Sequence, residues 1–378
     1  MQKRIRIVSV SIVLVILLIG IIVINNNSNS KYSFTQDGIR YALTLDGNKI
    51  TSFPSKGMYK VQVICVGADG RWLYDEWKLA IENITSDDVT CDIKFETISK
   101  INLNDYIISL LESEQGTGKV VNENGYRYEG KNPNNYIWFN NEYWRIIGVF
   151  DSASHGQSGK NLVKIIRADV LDGLAWHKSN TNDWTTASLN LLLNGAYYNA
   201  HDGTSSGYCY VYNGILANCD YTIRGIQSGY RGMIANVTWY LGGYSGYYAT
   251  AEAFYGYERG TTVPSGNLTS TTGYIGLMYP SDYGYSVLSS SCARTTNLGS
   301  YDSANCAGQS WLYGKGHEWT LTPYSSSSYG VFALNYPGQL SNYSASSGYG
   351  SRPVLYLDAS VYKTDGDGSL ENPYIVGM

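Results

Sequence analysis

The chain has 378 residues, 27 Lys and Arg against 31 Asp and Glu, and a formal net charge of −4 at pH 7. This acidic balance excludes nucleic acid as an expected partner, because neutralising phosphates needs a clustered positive surplus. Its 36 tyrosines and 41 glycines, with abundant Ser and Asn, suit binding loops in which Tyr supplies rigid contact area and small polar residues supply adaptable hydrogen bonds. A Tyr-rich β protein with long loops has the same composition.

The N-terminal stretch IVSVSIVLVILLIGIIVI (residues 7–24) is an uninterrupted apolar run, which as a helix would be about 27 Å long. Lys3, Arg4 and Arg6 precede it and no basic residue follows before Lys31. The positive-inside rule then predicts a cytoplasmic tail over 1–6, a transmembrane anchor over 7–24 and a linker over 25–31, with the bulk of the chain outside a single-pass cell-membrane protein. A cleaved signal peptide is the competing reading, but the run is long and no small-residue cleavage site follows it.

An exported chain meets an oxidising environment, so the six cysteines are expected as the local disulfides Cys65–Cys91, Cys209–Cys219 and Cys292–Cys306. No C-x-x-C occurs, so neither a zinc site nor any other cofactor is expected. Over 32–100 the segments YALTLDG, YKVQVICVG, WKLAIENIT and TCDIKFETI alternate apolar and polar residues between turns. They predict a small immunoglobulin-like β-sandwich stalk stapled by Cys65 and Cys91, with Trp72 and Trp77 as packing residues.

Residues 101–120 form a linker whose stretch LNDYIISLLE has helical spacing, with Asn104 as its cap. The second domain, 121–378, opens on NYIWFNNEYWRIIGVF, a hairpin turning at Asn140 and Asn141, and continues through the strand NLVKIIRADV. WTTASLNLLLNGAYYN then changes period: Leu189, Leu192, Leu193, Ala196 and Tyr197 share a helical face, with Asp183 or Thr185 as cap. From Asp202 to about Lys315 regular structure is expected only around MIANVTWYLGG, after which HEWTLTP, YGVFALNYPG and SRPVLYLD read as closing strands. Pro353 suits the first residue of the last strand, where no ladder hydrogen bond is demanded. A charge beside a buried strand must be paired, so the Arg352 guanidinium is expected on loop carbonyls or a carboxylate.

Strands, a helix, a long irregular region with two disulfide loops and a final run of strands make up the layout of C-type-lectin-like domains. The blocks NYIWFNNEYWRIIGVF, TWYLGGY, YERGTTVPSGN, GYIGLMYPSDYGYS, SWLYGKGHEWTLTP, SRPVLYLDASV and GDGSLENPYIV resemble an uncharacterised family of surface proteins from Gram-positive and wall-less bacteria. The closing block also resembles the last strand of the formylglycine-generating-enzyme superfamily. These resemblances imply a fold and a surface location and no activity. The expected fold class is α+β: a transmembrane helix, a small β-sandwich and a C-type-lectin-like domain with long loops.

Catalytic motifs are weak. HEWTL lacks the second histidine of a zinc-protease motif, GTSSG (residues 203–207) lacks the strand before it and the helix after it that a nucleophile elbow needs, and GTGK (116–119) is an incomplete phosphate loop. DGDGS (365–369) lacks a suitably spaced glutamate for calcium, and the E-P-N and W-N-D motifs of true lectins are missing. The expectation is a membrane-anchored extracellular binding protein, an adhesin or lectin-like module for a glycan or a protein on a host or neighbouring cell. An enzyme on surface glycans using Asp172 and Asp183 is the alternative, and a purely structural surface protein is a third. Recognition is assigned to loops between Asp202 and Tyr349, with Trp311, Tyr324 and Tyr329 as the exposed aromatics and Trp138, Trp144, Trp184 and Trp319 as core.

Overall fold

Alternating residues organise the first of two units, residues 1–99, and longer apolar runs organise the second, Lys100–Met378. The computed structural model describes residues 6–7, 32, 34–36, 38–55, 59–73, 76–97 and 100–378.

In the first unit the strand Ile39–Leu45 buries Ile39, Tyr41 and Leu43, while Val89–Thr97 buries Val89, Cys91, Ile93 and Phe95. The two strands run parallel, Ile39 opposite Val89 and Leu45 opposite Phe95. Tyr59–Val66 pairs antiparallel on the far side of Val89–Thr97, and Phe34–Gln36 and Asn48–Ile50 pair with Ile39–Leu45. A second sheet joins Arg6–Ile7, Lys78–Glu82 and Asp69–Leu73. Between the sheets Trp72 and Phe95 meet edge-to-face at 5.1 Å, Phe53 lies 5.1 Å from Trp72, and Trp77 donates its indole N–H to the Pro54 carbonyl at 2.8 Å.

In the second unit the runs WRIIGVF, LVKIIR and VLYL are covered on both faces, so they are apolar almost throughout instead of alternating. They form the middle of an eleven-stranded sheet, in which Glu142–Phe150 pairs with Leu162–Arg167 and the latter with Val354–Leu357. A five-stranded sheet combines Gly173–Ala175, Gly348–Gly350, Glu318–Pro323, Gly330–Leu334 and Leu340–Ser344. Asn140 and Asn141 take positive φ angles of 57° and 60° at the hairpin turn, which asparagine tolerates better than most side chains. Asn140 also serves as a clamp, donating to the Gly225 carbonyl at 3.1 Å and accepting from the Gln227 N–H at 2.8 Å.

The expected fold class needs correction. Strand makes up 38% and helix 15% of the described residues, and the longest α-helix among them, Ala251–Glu258, has eight residues. The architecture is therefore mainly β; its helices are short, packed around large sheets, and do not make the α+β, C-type-lectin-like layer arrangement. The transmembrane anchor over 7–24 is not supported either: among the described residues no helix is long and apolar enough to cross a membrane. Arg6–Ile7, where the apolar run begins, pairs as a strand with Lys78–Glu82. Residues 8–24 and the linker over 25–31 lie outside the described residues. The single-pass cell-membrane location drawn from that helix is withdrawn with it.

Smaller corrections follow from local competition. The helix Leu103–Ser109 begins before Asn104, whose amide instead reaches the Asn161 carbonyl at 3.1 Å. Asp183 folds a turn one step ahead of the helix Ser188–Leu192 by accepting from the Thr185 N–H at 3.0 Å, and it does not cap the helix. The region after Asp202 holds more than one regular element: Ala251–Glu258, capped by Thr250, and the buried turn Pro280–Tyr285 are both helical.

Candidate functional site

The three disulfides form, with Cα separations of 4.1, 6.0 and 5.2 Å for Cys65–Cys91, Cys209–Cys219 and Cys292–Cys306. Three of the exposed tyrosines, Tyr247, Tyr248 and Tyr329, stand on two neighbouring connections. One, YSSSSY (324–329), joins the strands Glu318–Pro323 and Gly330–Leu334; the other, GGYSGYY (242–248), follows the strand Val237–Tyr240.

A single buried amide secures the first connection. Asn182 donates to the carbonyls of Gly330, Ser327 and Tyr324 at 2.7, 3.0 and 3.2 Å, and its backbone N–H reaches Ser328 at 2.9 Å. The second connection docks on the first: the Ser325 N–H donates to the Tyr244 carbonyl at 3.0 Å, and the Ser326 hydroxyl to Ser245 at 3.2 Å. Gly243 permits this approach, since a Cβ there would lie 2.5 Å from the Pro323 carbonyl oxygen. We expect Asn182→Ala, which strands buried carbonyls, to cost about 2–3 kcal/mol, read as a lowered unfolding midpoint of the second unit.

Aromatic rings continue this backing outward. Tyr324 packs edge-on against buried Phe332 at 5.9 Å, and Tyr244 lies 5.5 Å from Phe254 and stacks on Tyr257 at 4.5 Å with an interplanar angle of 6°. Tyr247 sits 5.4 Å from Tyr324 and is 55% exposed, while Tyr329 is 51% exposed and Tyr248 is also open to solvent. Hydrogen bonding to the Tyr324 side chain is the main cause of a raised Tyr247 pKa; Tyr329 adds to it and the Asn342 amide opposes it. Tyr247 therefore neighbours Tyr324, with Tyr329 at the end of the same connection and Asn342 on the strand that pairs with Gly330–Leu334, and the side chains that bond or stack in this patch carry no charge. A neighbouring depression lined by Asn182, Trp184, Leu241 and Pro323 is too narrow for a water molecule.

Of the residues singled out from sequence, Tyr329 is exposed and Tyr324 half-buried within this patch. Trp311 is not at the surface. It is 6% exposed, donates its indole N–H to the Tyr128 carbonyl at 2.8 Å and lies beneath the Arg145 guanidinium at 4.7 Å, so it is a core residue. Trp144, Trp184 and Trp319 are buried, but Trp138 is 37% exposed and meets Tyr143 at 5.0 Å on an open face of the large sheet. Arg352 and Pro353 are both buried; Arg352 pairs with Glu318, and the Pro353 carbonyl accepts from the Arg167 N–H. Tyr244, Tyr247, Tyr257 and Asn342 were missed, although Y-L-G-G-Y-S-G-Y-Y (240–248) repeats the tyrosine-and-glycine signal that marked the partner loop.

The carboxylates of the alternative enzyme reading have other partners. Asp172 faces Arg224 at 3.6 Å, and Asp183 accepts from the hydroxyls of Thr185 and Thr186 at 2.7 and 3.1 Å. Among the described residues no cluster of three or more His, Cys, Asp or Glu side chains is placed to hold a metal ion. No protein-family model, curated protein or solved structure matches the chain, so no relative assigns a role to any of these residues.

Proposed function

We propose that this chain is an extracellular binding protein that recognises an uncharged glycan through Tyr247, Tyr324 and Tyr329. The observation that carries this reading is the meeting of Tyr247 and Tyr324 at 5.4 Å on two docked connections, the first of which is held from beneath by Asn182. Tyrosine faces suit the apolar faces of sugar rings, hydroxyl and amide groups suit their hydroxyls, and the firm backing lowers the ordering cost of binding. The three disulfides support folding in an oxidising compartment, where such a ligand is met.

The test is an array of glycans and extracellular proteins probed with the full chain. Binding to a neutral glycan is expected, with Tyr247→Ala and Tyr329→Ala each weakening it about tenfold, equivalent to about 1.4 kcal/mol. Both side chains are exposed, so the melting temperature should change little. Binding to proteins alone, no binding at all, or full binding by both variants would overturn the proposal.

A further inference from the structure

Beneath the sheets lies a group of charges that the tyrosine surface does not use. Lys164, in the strand Leu162–Arg167, and Asp282, in the helix Pro280–Tyr285, are each 1% exposed, with Nζ 2.5 Å from Oδ2. Among the described residues this is the sole lysine–carboxylate pair buried at both ends; Lys78–Glu76, Lys119–Glu112 and Lys160–Asp358 reach solvent. Four rings surround the lysine nitrogen, Tyr279 at 4.4 Å, Tyr356 at 5.6 Å, Phe150 at 5.7 Å and Trp239 at 5.8 Å, and these exclude water. On the other carboxylate oxygen, Oδ1, the Arg127 guanidinium donates at 3.0 Å, and the Tyr279 backbone N–H donates to Oδ2 at 2.9 Å.

The geometry points to an intramolecular amide cross-link between Lys164 and Asp282, formed by condensation of the two side chains. The bond forms from Nζ to Cγ and the bond from Cγ to Oδ2 breaks. Of the three protons on the lysine ammonium, two pass to Oδ2, which leaves as water, and one stays on the amide nitrogen. Charge balances, since one cation and one anion become a neutral amide and a neutral water, and no oxidant or other reactant is required. Arg127 is placed to stabilise the negative charge that develops on Oδ1 during the attack.

Three features favour the condensation. Holding amine and carboxyl in contact replaces an encounter in solution with an intramolecular step of very high effective concentration. Burial makes an ion pair costly to maintain, and the reaction removes both of its charges while releasing water from a dry site. Burial also lowers the Lys164 pKa to about 8, bringing the nucleophilic free amine within reach near neutral pH. Arg127 would lose its counter-charge but keep an acceptor in Oδ1, now the amide oxygen, while its Nε donates to the Glu123 carbonyl at 2.9 Å and its guanidinium lies 4.5 Å from Phe150 and 4.7 Å from Tyr285. The link would tie a central strand to a helix 118 residues further along the chain.

The experiment is the intact mass of the full chain after reduction of its disulfides, followed by a tryptic map. The expected result is a mass lower by one water, no cleavage after Lys164, and one branched peptide carrying both Lys164 and Asp282. Lys164→Arg keeps the positive charge but removes the amine nucleophile, and it should restore the full mass. A full-mass wild-type chain with a separate Lys164-terminated peptide overturns the cross-link, as does a lost water confined to one linear peptide. The wild-type measurement decides the matter even if the variant does not fold.

Discussion

Glu318→Ala is expected to destabilise the second unit by about 3–5 kcal/mol, the cost of leaving a buried charge without its partner. Arg352 and Glu318 are 5% and 2% exposed; Nε and Nη2 of Arg352 meet the two carboxylate oxygens at 2.6 and 2.9 Å, and Nη2 also reaches the Leu312 carbonyl at 2.6 Å. Such a two-pronged pair fixes orientation as well as proximity. Arg352 precedes the strand Val354–Leu357 of the large sheet, and Glu318 begins a strand of the five-stranded sheet. The charge before the buried run SRPVLYLD therefore ties one sheet to the other. Alanine in place of Glu318 leaves Arg352 only a backbone carbonyl. Urea unfolding followed by tryptophan fluorescence measures the effect, with the double variant Glu318→Leu, Arg352→Met expected to regain most of the loss because neither charge is then buried. A loss below about 1 kcal/mol in the single variant, the range of exposed pairs, would refute this role.

The second large effect belongs to the first unit. Cys65 and Cys91 stand opposite each other in the antiparallel pair Tyr59–Val66 and Val89–Thr97, closing a loop of 26 residues. In the chain-entropy model a loop of that length stabilises by about 3.5 kcal/mol, a large share of the roughly 5–15 kcal/mol that holds a domain together. Gly70 of the facing sheet leaves the room the bridge occupies, since a Cβ there would collide with the Cys65 sulfur. The double variant Cys65→Ser, Cys91→Ser should lower the unfolding midpoint of this unit and leave that of the second unit in place. An unchanged midpoint would show that the bridge adds nothing to the strand pairing around it.

Patterns that depend on nearest neighbours were legible in the sequence. Leu189, Leu192, Leu193, Ala196 and Tyr197 face inward together because their spacing is helical, even though the last turn widens from an α-helix into a π-helix at Leu193–Tyr197. Asn140 and Asn141 make the hairpin turn because asparagine tolerates positive φ. Features that depend on remote partners were not legible. Trp311 follows a disulfide in a stretch without periodicity, and its burial is decided by Tyr128 and Arg145, both more than 160 residues earlier in the chain. Trp138 was grouped with the core although its neighbours Ile137 and Phe139 are the inward pair and period-two alternation turns it outward. Half of the tyrosine patch was visible because loops rich in Tyr and Ser announce themselves. The other half depended on which second loop docks beside Tyr324, and that is set by Asn182 and Gly243, neither of which carries a binding signature.

The tyrosine patch is tested most directly by mapping where a bound glycan lies. Hydrogen–deuterium exchange of the full chain, with and without the tightest neutral glycan from the array, should show protection confined to residues 242–248, 324–330 and the strand Leu340–Ser344. Protection on the other open aromatic face, around Trp138 and Tyr143, with none on the two tyrosine connections, would contradict it.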